Sequence, residues 1–281
     1  MNDLRYRKPM NPFLSSEHQL RNGWWILIFF LVLASILIPT LIAAHYYAMD
    51  VSIGLQAVIL GLVSLICQLL RREPLTELLG KFDARWFKEL CLGSLVGSAL
   101  MLVPALIMRI FGWVDWQWNP TGFSALVSSV FLFVGVAAAE ELLFRGFVFQ
   151  RLISGLGQWP TQLIVASFFL LTHMDNPGMT GSIRVMASAN IFLASFLFGL
   201  AFIRTKSLAM PLGLHFMANL MQGGVLGIGV SGSTDQLGLL EPIYAGNPEW
   251  LTGGQFGLEA SIIGLFFVVV TLILLYLWKP T

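Results

Sequence analysis

Charge is what this chain has least of. Only 11% of its 281 residues are Asp, Glu, Lys or Arg, against about 25% in a soluble domain. With 57% of the residues hydrophobic, an ordinary water-soluble fold is excluded. The basic residues are scattered rather than gathered into a stripe, and the net charge is only +1, which argues against a nucleic-acid partner. Cysteine is scarce too. Cys67 and Cys91 sit in or beside apolar stretches with no CxxC spacing, so they read as packing residues rather than redox or metal sites. No internal repeat and no low-complexity tract occurs, so neither a solenoid nor an inverted-repeat transporter is signalled.

What the chain has is apolar length. A hydrocarbon core of about 30 Å needs roughly 20 apolar helical residues, and eight runs of that order lie near 24–46, 51–70, 90–112, 123–150, 160–175, 186–203, 207–224 and 256–278. The expected fold is all-α: a polytopic membrane protein of about eight transmembrane helices. Residues 1–23 are expected to form a cytoplasmic N-terminal segment and 24–281 a single transmembrane helical domain. The first apolar run is too long, and too poor in a cleavage signature, for a signal peptide.

Short cytoplasmic loops are enriched in Lys and Arg. With the N-terminus inside, 13 of the 16 basic residues fall on the cytoplasmic side. The exceptions are Arg109, Arg184 and the intramembrane Arg145. Both termini are then cytoplasmic, and the brevity of the chain suits a bacterial inner membrane. The Gly-rich stretch from Gly223 to Gly257 has no Lys or Arg and reads as a long external loop. Gly93 and Gly97 form a GxxxG, whose ordinary meaning is close helix approach.

Against this apolar background the stretch AEELLFRGF, Ala139 to Phe147, stands out, because a charge at the bilayer centre costs at least ~2.5 kcal/mol. Glu141 and Arg145 are four apart and share a helix face, so they can pair. Glu140 points about 100° away. An acid without a partner in a low-dielectric cavity suits a general base. Two later runs carry histidines: FFLLTH with Phe169 and His173 four apart, and HFMAN with His215 and Asn219 four apart. At 1.5 Å of rise per residue, Glu140 and His215 lie about 15 Å from the basic end and His173 about 20 Å. The residues are therefore expected to meet in a polar cavity open toward the cytoplasm.

The ordered set EExxxR, FxxxH and HxxxN resembles the CPBP intramembrane protease family, which contains the type II CAAX prenyl endopeptidases and the bacterial Abi or bacteriocin-processing relatives. The motif-bearing core runs from about 124 to 222. The resemblance implies a membrane endopeptidase in which Glu140, with His173, activates a water. Glu141 and Arg145 would orient and balance that base, and His215 and Asn219 would stabilise the oxyanion. It also implies the lipid bilayer and a membrane-associated protein or peptide as partners, a prenylated CAAX peptide being the best-known substrate class.

Members have been described as metalloproteases as well. If a divalent metal such as zinc is used, its ligands would be Glu140, His173 and His215. The histidines lie on different helices and HExxH is absent, so catalysis without a cofactor is the favoured expectation. The GxSG at Gly229–Gly232 matches rhomboid serine proteases, yet no His follows His215. An aspartyl protease needs two intramembrane Asp residues, and none here is mid-helix. From a different class, a non-proteolytic scaffold or immunity-type protein would keep the polar cluster for structure.

Overall fold

A computed structural model describes residues 11–14, 19–233 and 238–279. The expected segment 1–23 thus lies largely outside the described residues. The elements, in chain order, are α1 (Asn22–Tyr46), α2 (Ile53–Arg71), α3 (Thr76–Leu79), α4 (Ala84–Ile110), β1 (Val114–Trp118), α5 (Gly122–Phe144), α6 (Phe147–Leu156), α7 (Gln158–Leu171), α8 (Gly181–Thr205), α9 (Ala209–Asn219), β2 (Leu240–Tyr244), α10 (Glu249–Thr252) and α11 (Ile262–Leu277). Among the described residues, five spans are by length and composition long and apolar enough to cross a membrane, and the sixteen-residue α11 is a shorter apolar helix. All eight apolar runs are helical, but three differ from expectation.

The run 123–150 is not one continuous helix. It ends at Phe144 and restarts at Phe147, because Gly146 adopts φ −74°, ψ −128° and packs so close to Leu142 that a Cβ would lie 2.2 Å from its carbonyl oxygen. Only glycine tolerates that approach. The third helix begins at Ala84, six residues before the expected start, with Asp83 capping it through Trp86 N–H. The last helix begins at Ile262, capped by Ser261, so Glu259 belongs to a one-turn 3₁₀ segment ahead of it.

The fold is also not purely helical. β1 and β2 form an antiparallel pair in which Val114 faces Tyr244 and Trp118 faces Leu240. The ladder ties the α4–α5 connection to the Gly-rich stretch expected to be an external loop. Trp116 Nε1–H donates to Leu226 O and Asn119 Nδ2–H to Gly238 O, fastening that stretch further.

The GxxxG does bring helices together. A Cβ on Gly93 would lie 2.2 Å from Met210 O and one on Gly97 2.2 Å from Leu214 O, both in α9; reciprocally, a Cβ on Gly213 would meet Leu90 O at 2.2 Å. Backbone-to-backbone packing of this kind is what small residues allow between helices in lipid. It fixes α9, and with it His215, against α4.

One end of the bundle is held by polar contacts. Glu77 accepts from Arg71 and Arg151 at 2.8 and 2.9 Å, and Gln150 donates to Leu78 O. Leu208 N–H and Ser207 Oγ–H reach Leu79 O, while Arg204 donates to Tyr276 O. These contacts join α2, α3, α6, α8, α9 and α11 at their basic ends.

Candidate active site

Arg145 is the hub. The chain turns at this residue instead of continuing α5, so the guanidinium folds back into the bundle, where it is fully buried. It donates to Glu141 Oε1 at 3.2 Å and to Ser195 O and Oγ at 2.9 and 2.8 Å. Three aromatic rings surround it: Phe144, Phe169 and Phe198, at 5.7, 5.1 and 5.1 Å from the guanidinium carbon to each centroid. A buried cation held by a carboxylate and by ring faces is offset on several sides at once.

Each of two rings also seats a histidine. Phe198, on α8, stacks on His215 at 4.7 Å and 7° between planes, and Phe169 lies 4.5 Å from His173. The FxxxH spacing acts through the backbone as well. His173 Nδ1 lies 2.7 Å from Phe169 O. A carbonyl only accepts, so Nδ1 carries a proton, and in the neutral ring Nε2 is the nitrogen with the lone pair. His173 itself stands just past the end of α7 rather than within the helix as expected, because α7 stops at Leu171.

His215 is positioned from the other side. Its Nδ1 is 2.8 Å from Glu141 Oε1, which leaves Nε2 3.8 Å from Glu140 Oε2. That gap is too long for a direct hydrogen bond. The order Arg145, Glu141, His215, Glu140 runs from the protein interior to a cavity of about 460 Å³ that Glu140, His173, His215 and Asn219 all line. The side chain of Glu140 is 25% exposed and that of Glu141 0%. Asn219 is the last residue of α9, immediately before a π-helical turn at Leu220–Val225, a distortion frequent at functional sites.

Sequence reasoning did not anticipate the far wall of the cavity. Ser231, at φ +49°, donates its N–H to Glu259 Oε2 at 2.7 Å and its hydroxyl to the same carboxylate at 3.2 Å. Asn176 Nδ2–H donates to Ser231 O. Ser231, Glu259 and Asn176 line the cavity with the catalytic candidates, and Glu259 lies within electrostatic reach of His173 and His215. Asn190, on α8, is a further buried lining residue. The GxSG at Gly229–Gly232 was the sequence signal at this turn, and nothing local tied Ser231 to Glu259.

The cavity lining is unevenly distributed along the bundle. It includes no residue of 61–99, 145–168 or 199–214, the stretches that form the basic end. A metal was the alternative expectation for Glu140, His173 and His215. Among the described residues no three or more His, Cys, Asp or Glu are grouped so that they could hold a metal ion.

No curated protein and no solved structure matches the chain. The motif-bearing core does find a match, and the family resemblance carried by Glu140, Glu141, Arg145, His173, His215 and Asn219 is met there: residues 122–221 match the family model described as type II CAAX prenyl endopeptidase Rce1-like.

Proposed function

We propose that this membrane protein is an intramembrane endopeptidase whose general base is Glu140. The observation that carries the reading is the 3.8 Å gap between Glu140 Oε2 and His215 Nε2, with the opposite ring nitrogen of His215 tied to Glu141. A water or a tetrahedral oxygen fits against both atoms at hydrogen-bonding distance. The family match supports the reaction class.

The residues divide the work. Glu140, assisted by the Nε2 lone pair of His173, takes a proton from the water as its oxygen bonds to the scissile carbonyl carbon. The C–N bond then breaks, and the proton held by Glu140 passes to the departing amine. Glu141, anchored by Arg145, holds the His215 ring and offsets positive charge on it, so that Nε2–H and the Asn219 amide stabilise the oxyanion. One such donor is worth about 3–4 kcal/mol. The substrate is a membrane-associated protein or peptide, prenylation being one option that the family description raises.

The test compares membranes from cells expressing wild type and Glu140→Gln for new peptide termini, followed by assay of the purified enzyme with and without a chelator. Turnover is expected to vanish in the variant and to survive chelation. Unchanged cleavage by a folded Glu140→Gln protein would remove the assignment and favour the scaffold alternative.

A further inference from the structure

The bundle is electrically lopsided, and most of the cavity lining lies away from its basic end. Ten of the thirteen described Lys and Arg residues lie at the end formed by the start of α1, the end of α2, α3, the start of α4, α6 and the ends of α8 and α11. The contacts around Glu77, Leu79 and Tyr276 hold these segments at one level, and Asn22 lies against Gly155 at the same end. The opposite end has Arg109 and Arg184, of which Arg109 is paired with Asp115. Acids predominate there: Asp50, Asp115, Asp175, Glu241 and Glu249.

The cavity lining runs from this acidic side of the bundle down to Leu143 and Phe144 at the end of α5 and Leu197 and Phe198 in the second half of α8. It takes Ile53 and Gln56 from the first turn of α2, Leu100 and Met101 from the second half of α4, and Asn190 from the first half of α8. The turns at Asn176, Ser231 and Glu259 complete it. Toward the basic end the catalytic groups are closed off: Phe144, Arg145, Phe147 and Phe149 are buried, and they stand between Glu140 and Arg151.

We propose that the cavity takes its substrate from the face opposite the basic loops, which the distribution of Lys and Arg makes the extracytoplasmic face, and that the peptide cut is an exported, membrane-anchored segment. This rests on the endopeptidase reading. The wall around Glu140 is largely Leu, Phe, Val and Met, so the residues flanking the scissile bond are apolar, while the polar rim of Asn176, Ser231 and Ser233 meets the peptide backbone where it emerges from the bilayer. A C-terminal tail presented from the cytoplasm would meet the basic end, where none of the cavity lining lies.

Two measurements on the full-length protein test this. Starting from Cys91→Ser, with the buried Cys67 left in place, single cysteines are introduced as Ser233→Cys at the cavity rim and Lys81→Cys at the basic end. Each is then exposed to a membrane-impermeant maleimide in intact cells and in inverted membrane vesicles. Ser233→Cys is expected to label in intact cells and Lys81→Cys only in inverted vesicles. The reverse pattern, or labelling of both from one side, overturns the orientation. In the second measurement, peptide termini that depend on Glu140 are mapped by comparing wild type with Glu140→Gln. They are expected in extracytoplasmic segments of membrane-anchored proteins, and termini in cytoplasmic segments overturn the substrate assignment. If no peptide terminus depends on Glu140, the protease reading on which that assignment rests is overturned, whereas reversed labelling overturns the orientation alone.

Discussion

The imidazole of His215 and the ring of Phe198 lie nearly parallel, 4.7 Å apart with 7° between their planes. Phe198 also faces Arg145, so one apolar side chain on α8 sets the plane of the proposed oxyanion donor and covers the buried cation behind it. Phe198→Leu preserves apolar bulk but removes the ring face. Aromatic pairing contributes about 0.5–1.5 kcal/mol beyond burial, so turnover should fall by about tenfold with little change in the melting temperature. A variant as active as wild type would show that Glu141 alone orients the ring.

Glu140 and Glu141 are adjacent in sequence and should fail differently. Glu141 shares a fully buried site with Arg145, and removing one charge of a buried pair leaves the other uncompensated, at a cost of about 3–5 kcal/mol. Glu141→Gln should therefore lower both stability and turnover. Glu140→Gln should lower turnover alone, since its carboxylate faces the cavity. Thermal unfolding in detergent, run beside the activity assay, separates the two; equal melting temperatures would contradict the assignment of Glu141 as the buried anchor.

Close packing of α4 on α9 sets where His215 stands. Gly97→Ala would place a Cβ 2.2 Å from Leu214 O, so the two helices must part. A destabilisation of about 1–3 kcal/mol is expected from such overpacking, together with a larger loss of turnover than Gly61→Ala, whose added Cβ meets nothing within 4 Å.

The Ser231 turn should govern substrate affinity rather than the chemical step. Glu259→Ala removes the acceptor that holds Ser231 N–H and its hydroxyl, so KM should rise severalfold with kcat nearly unchanged. Glu259→Gln keeps a carbonyl acceptor and should restore most of the affinity. Equal losses in both variants would assign the effect to the charge instead.

At the basic end, pH acts through Glu77. Burial pushes its carboxyl up, but hydrogen bonds from Arg71 and Gln68 and the charges of Arg151 and Arg71 outweigh that and hold it below the usual carboxylate range. A carboxyl with a lowered folded-state pKa contributes stability above its unfolded pKa of about 4.3 and loses it as the pH falls through the folded value. Wild type should therefore melt above Glu77→Gln at neutral pH, with the difference shrinking below about pH 4. A difference that stays constant with pH would rule out the ionised form as the contributor.

Much of the architecture was legible because lipid imposes long apolar runs and because helical periodicity reports which residues share a face. That is why the runs near 24–46 and 186–203 correspond to α1 and α8, and why the close approach at Gly93 and Gly97 could be expected. What periodicity does not carry is contact between helices distant in sequence. Nothing about Phe198 marks it as the partner of His215, and nothing local joins Ser231 to Glu259, twenty-eight positions apart. The break at Arg145 depends on the ψ of Gly146, a backbone choice invisible in a helical pattern that continues on both sides.

The β1–β2 ladder has a consequence for assembly. Trp118 pairs with Leu240, and every residue of the three motifs is strung between those two positions. At about 5–20 residues per second of synthesis, β1 waits on the order of ten seconds for its partner strand to appear. By then α5 through α9 have been made. The ladder is thus a late fastening on a bundle whose interior helices must already have found their places, and a nascent chain that packs them wrongly has not yet been locked.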